Sequence, residues 1–538
     1  MTTYDYVIVG AGSAGCVVAN RLSADGSRVL LLEAGGSDRK LTVRAPLTFP
    51  GQFQKSTDWN YLSESEPALH GRRLQMPRGK VLGGTSSMNA MIYFRGDASD
   101  FDGWEADYGA AGWSYRDVLP YFKKSEHNRD FSGEYHGTSG ELYVSHRHRW
   151  RSSHYETFIE SAQSAGIRPN DDFNAERADG VGLLQATIKD GRRWNSADAF
   201  LRPAMKRKNL DVITKAHVHR IELTGNRATG VRYARGSKLH TVRAEREVIL
   251  CAGAYGSPQL LMLSGIGPAD HLHDVGIPVA VNSPHVGQHL HEHPMVFMNW
   301  HATGCTTVDD AGPRDLAQWA LNRSGKFSTN LVEAAVHWIS DASLVAPDFQ
   351  IIFVPGFFWD GGHRKTGLAG ISTLVSYLAP ESRGHVQLQS ADPTVQPRIF
   401  SNILGQVSEV DALVRAIELI RDIASRPPMK HILTEEVQPS AAVGSPAALA
   451  NWLRSIAEHT YHPTCTCRMG PPDEAVVDPE LRVYGVEGLR VADASVMPRI
   501  TSGNTHAPAV MIGERCADFV LGREPLAAAP ARAVAAAP

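Results

Sequence analysis

The stretch Tyr6-Val7-Ile8-Val9-Gly10-Ala11-Gly12-Ser13-Ala14-Gly15, with Arg28-Val29-Leu30-Leu31-Leu32-Glu33 after it, decides the fold. A β-branched run enters a glycine turn, and Gly15 to Leu22 reads as a helix whose N-terminus lies in that turn. The second apolar run is continuous rather than alternating, as expected of a strand covered on both faces. Together they form a βαβ opening that carries G-x-G-x-x-G at its first connection. Gly10, Gly12 and Gly15 let backbone approach a diphosphate, whose charge is met by the N–H groups of the helix start at Ser13 and Ala14. Glu33, followed by Ala34, ends the second strand eighteen residues beyond Gly15, where a carboxylate can accept both ribose hydroxyls of a dinucleotide. The acid at this position disfavours a 2′-phosphate. The glycine pattern alone is weak, and its context of strand, helix and acid makes it specific.

A chain of 538 residues, 43% hydrophobic, is too long for one ordinary domain and implies two or more lobes. Lys and Arg (54) nearly cancel Asp and Glu (57), so there is no global field for a polyanion, and nucleic acid is set aside as a partner. The six cysteines, Cys16, Cys251, Cys305, Cys465, Cys467 and Cys516, are too scattered to staple the chain, which suits a reducing compartment. The start MTTYDYVIVG lacks the features of a signal peptide, and no uncharged apolar stretch is long enough for a transmembrane segment. The expected location is cytoplasmic.

A third strand-like run, Glu247 to Ala252, comes more than two hundred residues after the second and is followed by glycines and a helix-like Pro258 to Leu263. The nucleotide-binding lobe is therefore discontinuous. Alternating stretches at His385–Gln389 and Gln350–Val354 suit a half-covered antiparallel sheet in a second lobe. Glu409 to Ile423 places Val410, Leu413, Ile417 and Ile420 on one helical face. The last fifteen residues are mostly Ala and Pro and read as a frayed tail.

Two distant blocks choose between cofactors that share the opening fingerprint: Gly79-Lys80-Val81-Leu82-Gly83-Gly84-Thr85-Ser86-Ser87-Met88-Asn89-Ala90-Met91-Ile92-Tyr93, and Gly253 through Gly267, GAYGSPQLLMLSGIG. They resemble, position for position, the two signature patterns of the glucose/methanol/choline (GMC) oxidoreductases. The resemblance extends through VGQHLHEH, SRGHVQLQSADP, HPTCTCRMG and VADASVMP, essentially the whole chain apart from the tail. It implies an α/β plus α+β architecture: a Rossmann-like FAD-binding lobe assembled from discontinuous segments, here 1–155, 211–300 and 455–523. The substrate lobe, 156–210 and 301–454, is built on a mostly antiparallel sheet covered by helices, and 524–538 is a disordered tail. It further implies FAD contacts from Val81, Gly84, Asn89, Ala90 and Met91, with Val218 near the adenine and Asp493 with Ala494 near the ribitol and diphosphate. Some members attach FAD through a histidine in the S-S-H-N turn. Met88 occupies that place, so the cofactor is expected to be noncovalent FAD.

The implied reaction is oxidation of a small-molecule alcohol, with hydride transfer to flavin N5 and reoxidation by O₂, a quinone or another acceptor. In such enzymes a histidine and a partner that is His or Asn handle the hydroxyl proton. His462 matches the first position, and His506, counted back from the block Glu514–Asp518, is matched to the second. Only an unprotonated imidazole is a base near neutral pH. The expected substrate is a primary, uncharged alcohol: choline-oxidising members hold the trimethylammonium group with a glutamate in a region that here reads His293-Pro294-Met295. Two further hypotheses are a lyase of the same family, hydroxynitrile lyase or photodecarboxylase in type, and a non-catalytic flavin-binding module. A metal centre at His289, His291 and His293, or at His462, Cys465 and Cys467, is set aside because neither set has the separated paired spacing of common zinc sites. The cysteines are read as packing. Phe353, Phe357, Phe358 and Trp359 could line an apolar cavity, though such a cluster is more often core, and Trp59 is a weaker candidate near the cofactor.

Overall fold

The computed structural model describes residues 3–304, 306–358 and 369–530; Cys305 and Trp359 lie outside them. The opening run is the strand Thr3–Val9, the glycine turn leads into the helix Ser13–Ala24, and the second run is the strand Val29–Glu33, buried at every position. Val7 and Ile8 are fully buried, each contributing about 1.5–3 kcal/mol through loss of apolar surface from water. The helix can lie this close to the turn because position 15 is glycine: a Cβ there would sit 1.9 Å from the Gly10 carbonyl oxygen.

The late run Glu247–Ala252 is the end of the long strand Lys238–Leu250, which pairs in parallel with Thr3–Val9 from Tyr6↔Glu247 to Val9↔Leu250. The first sheet runs Leu210–Thr214, Val29–Glu33, Thr3–Val9, Lys238–Leu250, Arg227–Arg235, His217–Thr224, and the short strand Leu489–Val491 also joins Lys238–Leu250. It is parallel around the opening strand and antiparallel at the far end. Three separated stretches of chain therefore build one nucleotide-binding sheet.

The second sheet runs Leu433–Gln438, Pro294–Ala302, Gly370–Tyr377, Phe349–Val354, Ala334–Trp338, Gly180–Leu183, with Glu458–His459 also pairing to Pro294–Ala302. Every pairing in it is antiparallel. The strand Pro294–Ala302 lies wholly in this sheet and crosses position 300, where the sequence places a change of lobe. Phe349–Val354 is not half-covered, as its alternation suggests, but buried throughout. Phe349, Ile351 and Phe353 pack on Tyr155, Phe158 and the helix Val407–Ser425, while Ile352 and Val354 pack with Phe94, Phe173 and Leu331 on the other face. The alternation therefore separates two apolar environments rather than oil from water. The expected amphipathic helix is Val407–Ser425, with Val410, Leu413, Ile417 and Ile420 buried. His385–Gln387 does not join the second sheet; it forms a two-stranded ribbon with Arg398–Phe400. The tail is not wholly frayed, since Leu526 N–H donates to Tyr121 Oη at 3.1 Å and Ala529 N–H to the Arg116 carbonyl at 2.8 Å. No helix among the described residues is long and apolar enough to cross a membrane.

Candidate active site

One continuous cavity runs from the end of the second strand, past the glycine turn, to the inner face of the second sheet. Gly10, Gly12, Ser13, Ala14, Glu33, Ala34, Gly84, Asn89, Ala90, Met91, Val218, Asp493, Ala494, His462 and His506 line it. Gly15 and Val81 do not: Gly15 is packed beneath the turn, and Val81 is buried in a bridge to Gly36. The cavity wall also includes residues absent from the expected set, namely Phe49, Phe53, Tyr61, Arg78, Phe297, Asn504 and Thr505.

Glu33 is 5% exposed, and its two oxygens accept N–H groups of Ala11 at 3.0 Å and Gly35 at 2.7 Å. Burial raises its pKa to about 7, against the pull of those N–H groups and of Lys80. Beside it, Trp59 stacks on Tyr61 with ring centroids 5.7 Å apart, His217 lies 5.3 Å from the indole, and Lys80 Nζ is 4.4 Å from its centroid. Trp59, Tyr61, His217 and Val218 thus form an aromatic end to the cavity.

At the middle, Gly84 has φ +53° and lies against Gly12; a Cβ on it would meet the Gly12 Cα at 2.6 Å. The helix Ser13–Ala24 has no side-chain cap and no acid in its first turn, leaving its N–H groups available to an anion. Two buried polar atoms nearby lack partners among the described residues, His506 Nε2 and Arg193 Nη2. Arg193 is fully buried, held by Val43 O, Ser86 O and Asn89 Oδ1, with no ion pair among the described residues. Asp493 accepts Gly253 N–H at 2.9 Å, Ser257 Oγ at 2.6 Å and Ser495 N–H at 2.8 Å, tying the late segment to the helix Gly253–Leu263. An aromatic end, a buried carboxylate at the end of the second strand, a cradle of glycines and the uncapped helix N–H groups in the middle fit FAD.

The far end does not join the two expected histidines. His506, the first residue of the helix His506–Val520, turns back to the glycine turn, where its Nδ1 lies 2.9 Å from Ser13 Oγ. The residue beside His462 is Asn504, whose Nδ2 is 3.2 Å from His462 Nε2. The reason lies in the loop: a Cβ at Gly503 would strike the Phe94 ring at 2.2 Å, so the chain passes close over that ring and delivers Asn504, not His506, to the cavity beside His462. The signal was present, since either His or Asn serves at that position and Asn504 precedes His506 by two residues.

His462 follows Tyr461, which adopts φ +66° and whose carbonyl accepts from Arg78 at 2.5 Å. Met91 across the cavity also has positive φ, +63°. Such backbone costs about 1–2 kcal/mol per residue and is held in place by its surroundings. His462 N–H donates to Glu292 Oε1 at 2.6 Å, and His462 Nδ1 lies 3.1 Å from His293 Nδ1. Burial, reinforced by His293 and Arg78, holds the His462 pKa well below the usual imidazole range, so the ring is neutral at pH 7. His506 is pushed down to about 4 by burial and by Arg193.

The histidines of the HLHEH block have separate partners: His289 with His285, His291 with the Pro380 carbonyl and Arg383, His293 with His462. Among the described residues no group of three or more His, Cys, Asp or Glu is placed to hold a metal. Cys465 and Cys467 are buried free thiols, as are Cys16, Cys251 and Cys516. Of the aromatic candidates, Phe353 packs on Tyr155 and Phe158, Phe357 on His301, and Phe358 lines the cavity opposite Phe297, ring centroids 4.7 Å apart.

The profile of the GMC oxidoreductases matches residues 4–295 with its N-terminal part and 380–513 with its C-terminal part. The chain is 41% identical over 533 residues to the oxygen-dependent choline dehydrogenase of Rhizobium etli, covering 97% of this chain and 96% of that one. Among solved structures, pyridoxine 4-oxidase from Mesorbium loti superposes with a TM-score of 0.88 at 30% identity, covering 97% of this chain and 100% of that one. Formate oxidase from Aspergillus oryzae RIB40 superposes with a TM-score of 0.91 at 28% identity, covering 97% and 98%. A cradle that fits FAD, joined to a neutral histidine across two sheets of this topology and matched along nearly its full length, places the chain in the GMC oxidoreductase family, as an FAD-dependent oxidoreductase acting on CH–OH donors.

Proposed function

We propose that the enzyme oxidises an uncharged primary alcohol, aryl or alkyl, to its aldehyde, with His462 as the base and Asn504 as the donor beside it. The observation that carries the substrate class is the wall around this pair: Met295, Phe297, Leu331, Val332, Ile352, Val354, Phe358 and Leu374. The charged side chains among the described lining residues are Glu33 and Asp493, both engaged with backbone at the cofactor end, and Arg78, a cation. Glu292, which accepts the His462 N–H, lies behind the wall, so no described carboxylate lines the reaction end to offset a trimethylammonium charge, and burying an unpaired charge is costly.

Bound FAD supplies the hydride acceptor. The chain supplies the proton chemistry. His462 Nε2 and Asn504 Nδ2, 3.2 Å apart, can both reach one substrate oxygen. Asn504 donates to that oxygen and orients it; His462, neutral through burial, takes the hydroxyl proton on Nε2. The apolar wall excludes water and holds the substrate carbon beside this pair. A positioned base of this kind contributes about 10²–10⁴-fold. Noncovalent attachment is part of the proposal, since Met88 lines the cavity with a thioether that forms no such bond.

The test is anaerobic stopped-flow bleaching of the flavin in the dark with benzyl, cinnamyl, furanyl and linear alcohols, polyols and choline, followed by admission of air. Bleaching by an uncharged alcohol faster than by choline is the expected result, and recolouring in air reports whether O₂ is the acceptor. Preference for choline would overturn the substrate class. No bleaching by any alcohol would overturn oxidation in favour of the lyase hypothesis.

A further inference from the structure

Behind the His462–Asn504 pair lies Gln350, on the strand Phe349–Val354, fully buried and outside the cavity wall. Its Nε2 is 3.2 Å from Asn504 Oδ1 and 2.9 Å from His337 Nε2. An amide nitrogen donates and never accepts. Asn504 therefore spends its oxygen on Gln350 and turns its own Nδ2 to His462, so His462 Nε2 must be the bare nitrogen and Nδ1 must carry the proton toward His293.

The same atom positions accommodate the opposite sense. If Gln350 presented its oxygen, Asn504 would reverse, its oxygen would face His462, and Nε2 would hold a proton with no lone pair left for the substrate. The sense observed is the cheaper one. It leaves Gln350 Oε1 and the His337 Nδ1 N–H without partners among the described residues, whereas the reverse would strand an NH₂ group, two donors, in place of the oxygen and a bare ring nitrogen in place of that N–H. His337 backs this arrangement: it is wedged between Phe94 and Phe173, each with ring centroids 4.5 Å away, and burial lowers its pKa to about 3, so it stays neutral and can accept.

We propose that Gln350 is a positioning residue that fixes the amide orientation of Asn504 and thereby the tautomer of His462, keeping Nε2 free to take the substrate proton. The inference rests on the reading of His462 as the base. Gln350 touches neither substrate nor cofactor and acts only through Asn504.

The experiment compares Gln350→Glu and Gln350→Met with the wild-type holoenzyme. An ionised carboxylate of the same shape can only accept, so Gln350→Glu forces Asn504 to reverse. Its rate of flavin bleaching by an alcohol is expected to fall by about 10²–10⁴-fold, the value of a lost base. That rate should drop further as pH rises and the introduced carboxyl ionises, opposite to the base limb of the wild type. Gln350→Met, which neither donates nor accepts, should lose less. Long-range ¹H–¹⁵N correlation on histidine-labelled enzyme, with the His462 signal assigned from His462→Asn, reads the tautomer without reference to turnover. The proton should sit on Nδ1 in wild type, on Nε2 in Gln350→Glu, and on both in Gln350→Met. Wild-type bleaching in Gln350→Glu, or an Nδ1-only tautomer in either variant, overturns the inference. If Gln350→Glu does not fold, the tautomer in Gln350→Met decides alone. Failure of the base reading is distinct, because His462→Ala would then bleach at the wild-type rate.

Discussion

Replacing Gly84 with alanine tests whether the cofactor cradle is as tight as its geometry implies. The added Cβ would stand 2.6 Å from Gly12 Cα and 3.5 Å from Gly12 N, both backbone atoms that no rotamer change can move. Two costs combine. The residue has φ +53°, where alanine is about 1–2 kcal/mol less favourable than glycine, and forcing a methyl into packed backbone adds about 1–3 kcal/mol. The sum is about 2–5 kcal/mol, and at 1.4 kcal/mol per decade it corresponds to roughly 30- to 4000-fold in an equilibrium. The strain is relieved most directly by separating residue 84 from residue 12, both of which line the cofactor end of the cavity, so most of it should fall on FAD binding. The control is Gly225→Ala, with φ +59° and nothing within 4 Å, which carries the backbone cost without the collision. The assay is the flavin-to-protein absorbance ratio of purified protein, then FAD affinity by recovery of quenched fluorescence on dilution, and Tm with and without added FAD. Gly84→Ala should lose FAD affinity by at least about 10-fold, while Gly225→Ala shows only a lower Tm. Equal FAD affinity in the two variants would refute the reasoning.

Acid precipitation should leave a yellow supernatant, because Met88 cannot carry the flavin covalently; colour in the pellet would refute this. His462→Ala should slow anaerobic flavin reduction by about 10²–10⁴-fold with FAD still bound, and an unchanged rate would remove it from the mechanism. Stability should fall on acidification below about pH 6.5, the pKa of unfolded histidine. His148, His293, His337 and His459 are lowered to about 3, and His217, His289 and His506 to about 4, all by burial, so the unfolded chain takes up protons that the folded one refuses. Glu33, Asp100 and Glu333, raised to about 7, and Glu292, raised to about 8, oppose this, their contribution fading as pH rises through those values. The histidines outnumber them, and each proton not offset is worth about 1.4 kcal/mol per pH unit. A Tm that stays level or rises from pH 6.5 to 4.5 would contradict this balance.

The parts of the fold that were legible are those where near neighbours decide the outcome. The opening strand, the helix from Ser13 and the strand ending at Glu33 follow from a glycine turn between two apolar runs, and the helix Val407–Ser425 from its 3.6-residue spacing. Coverage was less legible than periodicity. Gln350–Val354 alternates because its two faces meet different apolar clusters, and nothing local distinguishes a second cluster from solvent. His385–Gln387 has the alternation of a sheet strand, yet its only strand partner is Arg398–Phe400, a pairing set by the chain that returns to it.

At the site, the cofactor cradle was readable because glycines are demanded wherever backbone meets backbone, and most of the expected residues do line the cavity. The proposed partner of His462 was not, because its identity depends on the last four residues of the loop before the final helix. Ser502, Gly503, Asn504 and Thr505 enter the last helix, and the close passage of Gly503 over Phe94 decides which polar side chain faces His462. The chemical state of His462 is still further from the local sequence. Its 22 fellow histidines are alike as residues; what sets this imidazole apart is burial, His293 from a segment 169 residues away, and an amide chain that begins at His337 and Gln350. The role proposed for His462 thus depends on both sheets. The first supplies the cradle that sets the flavin, and the second supplies the hydrogen bonds that leave one nitrogen bare, so a motif can name the histidine but only the packing of both sheets can make it function as one.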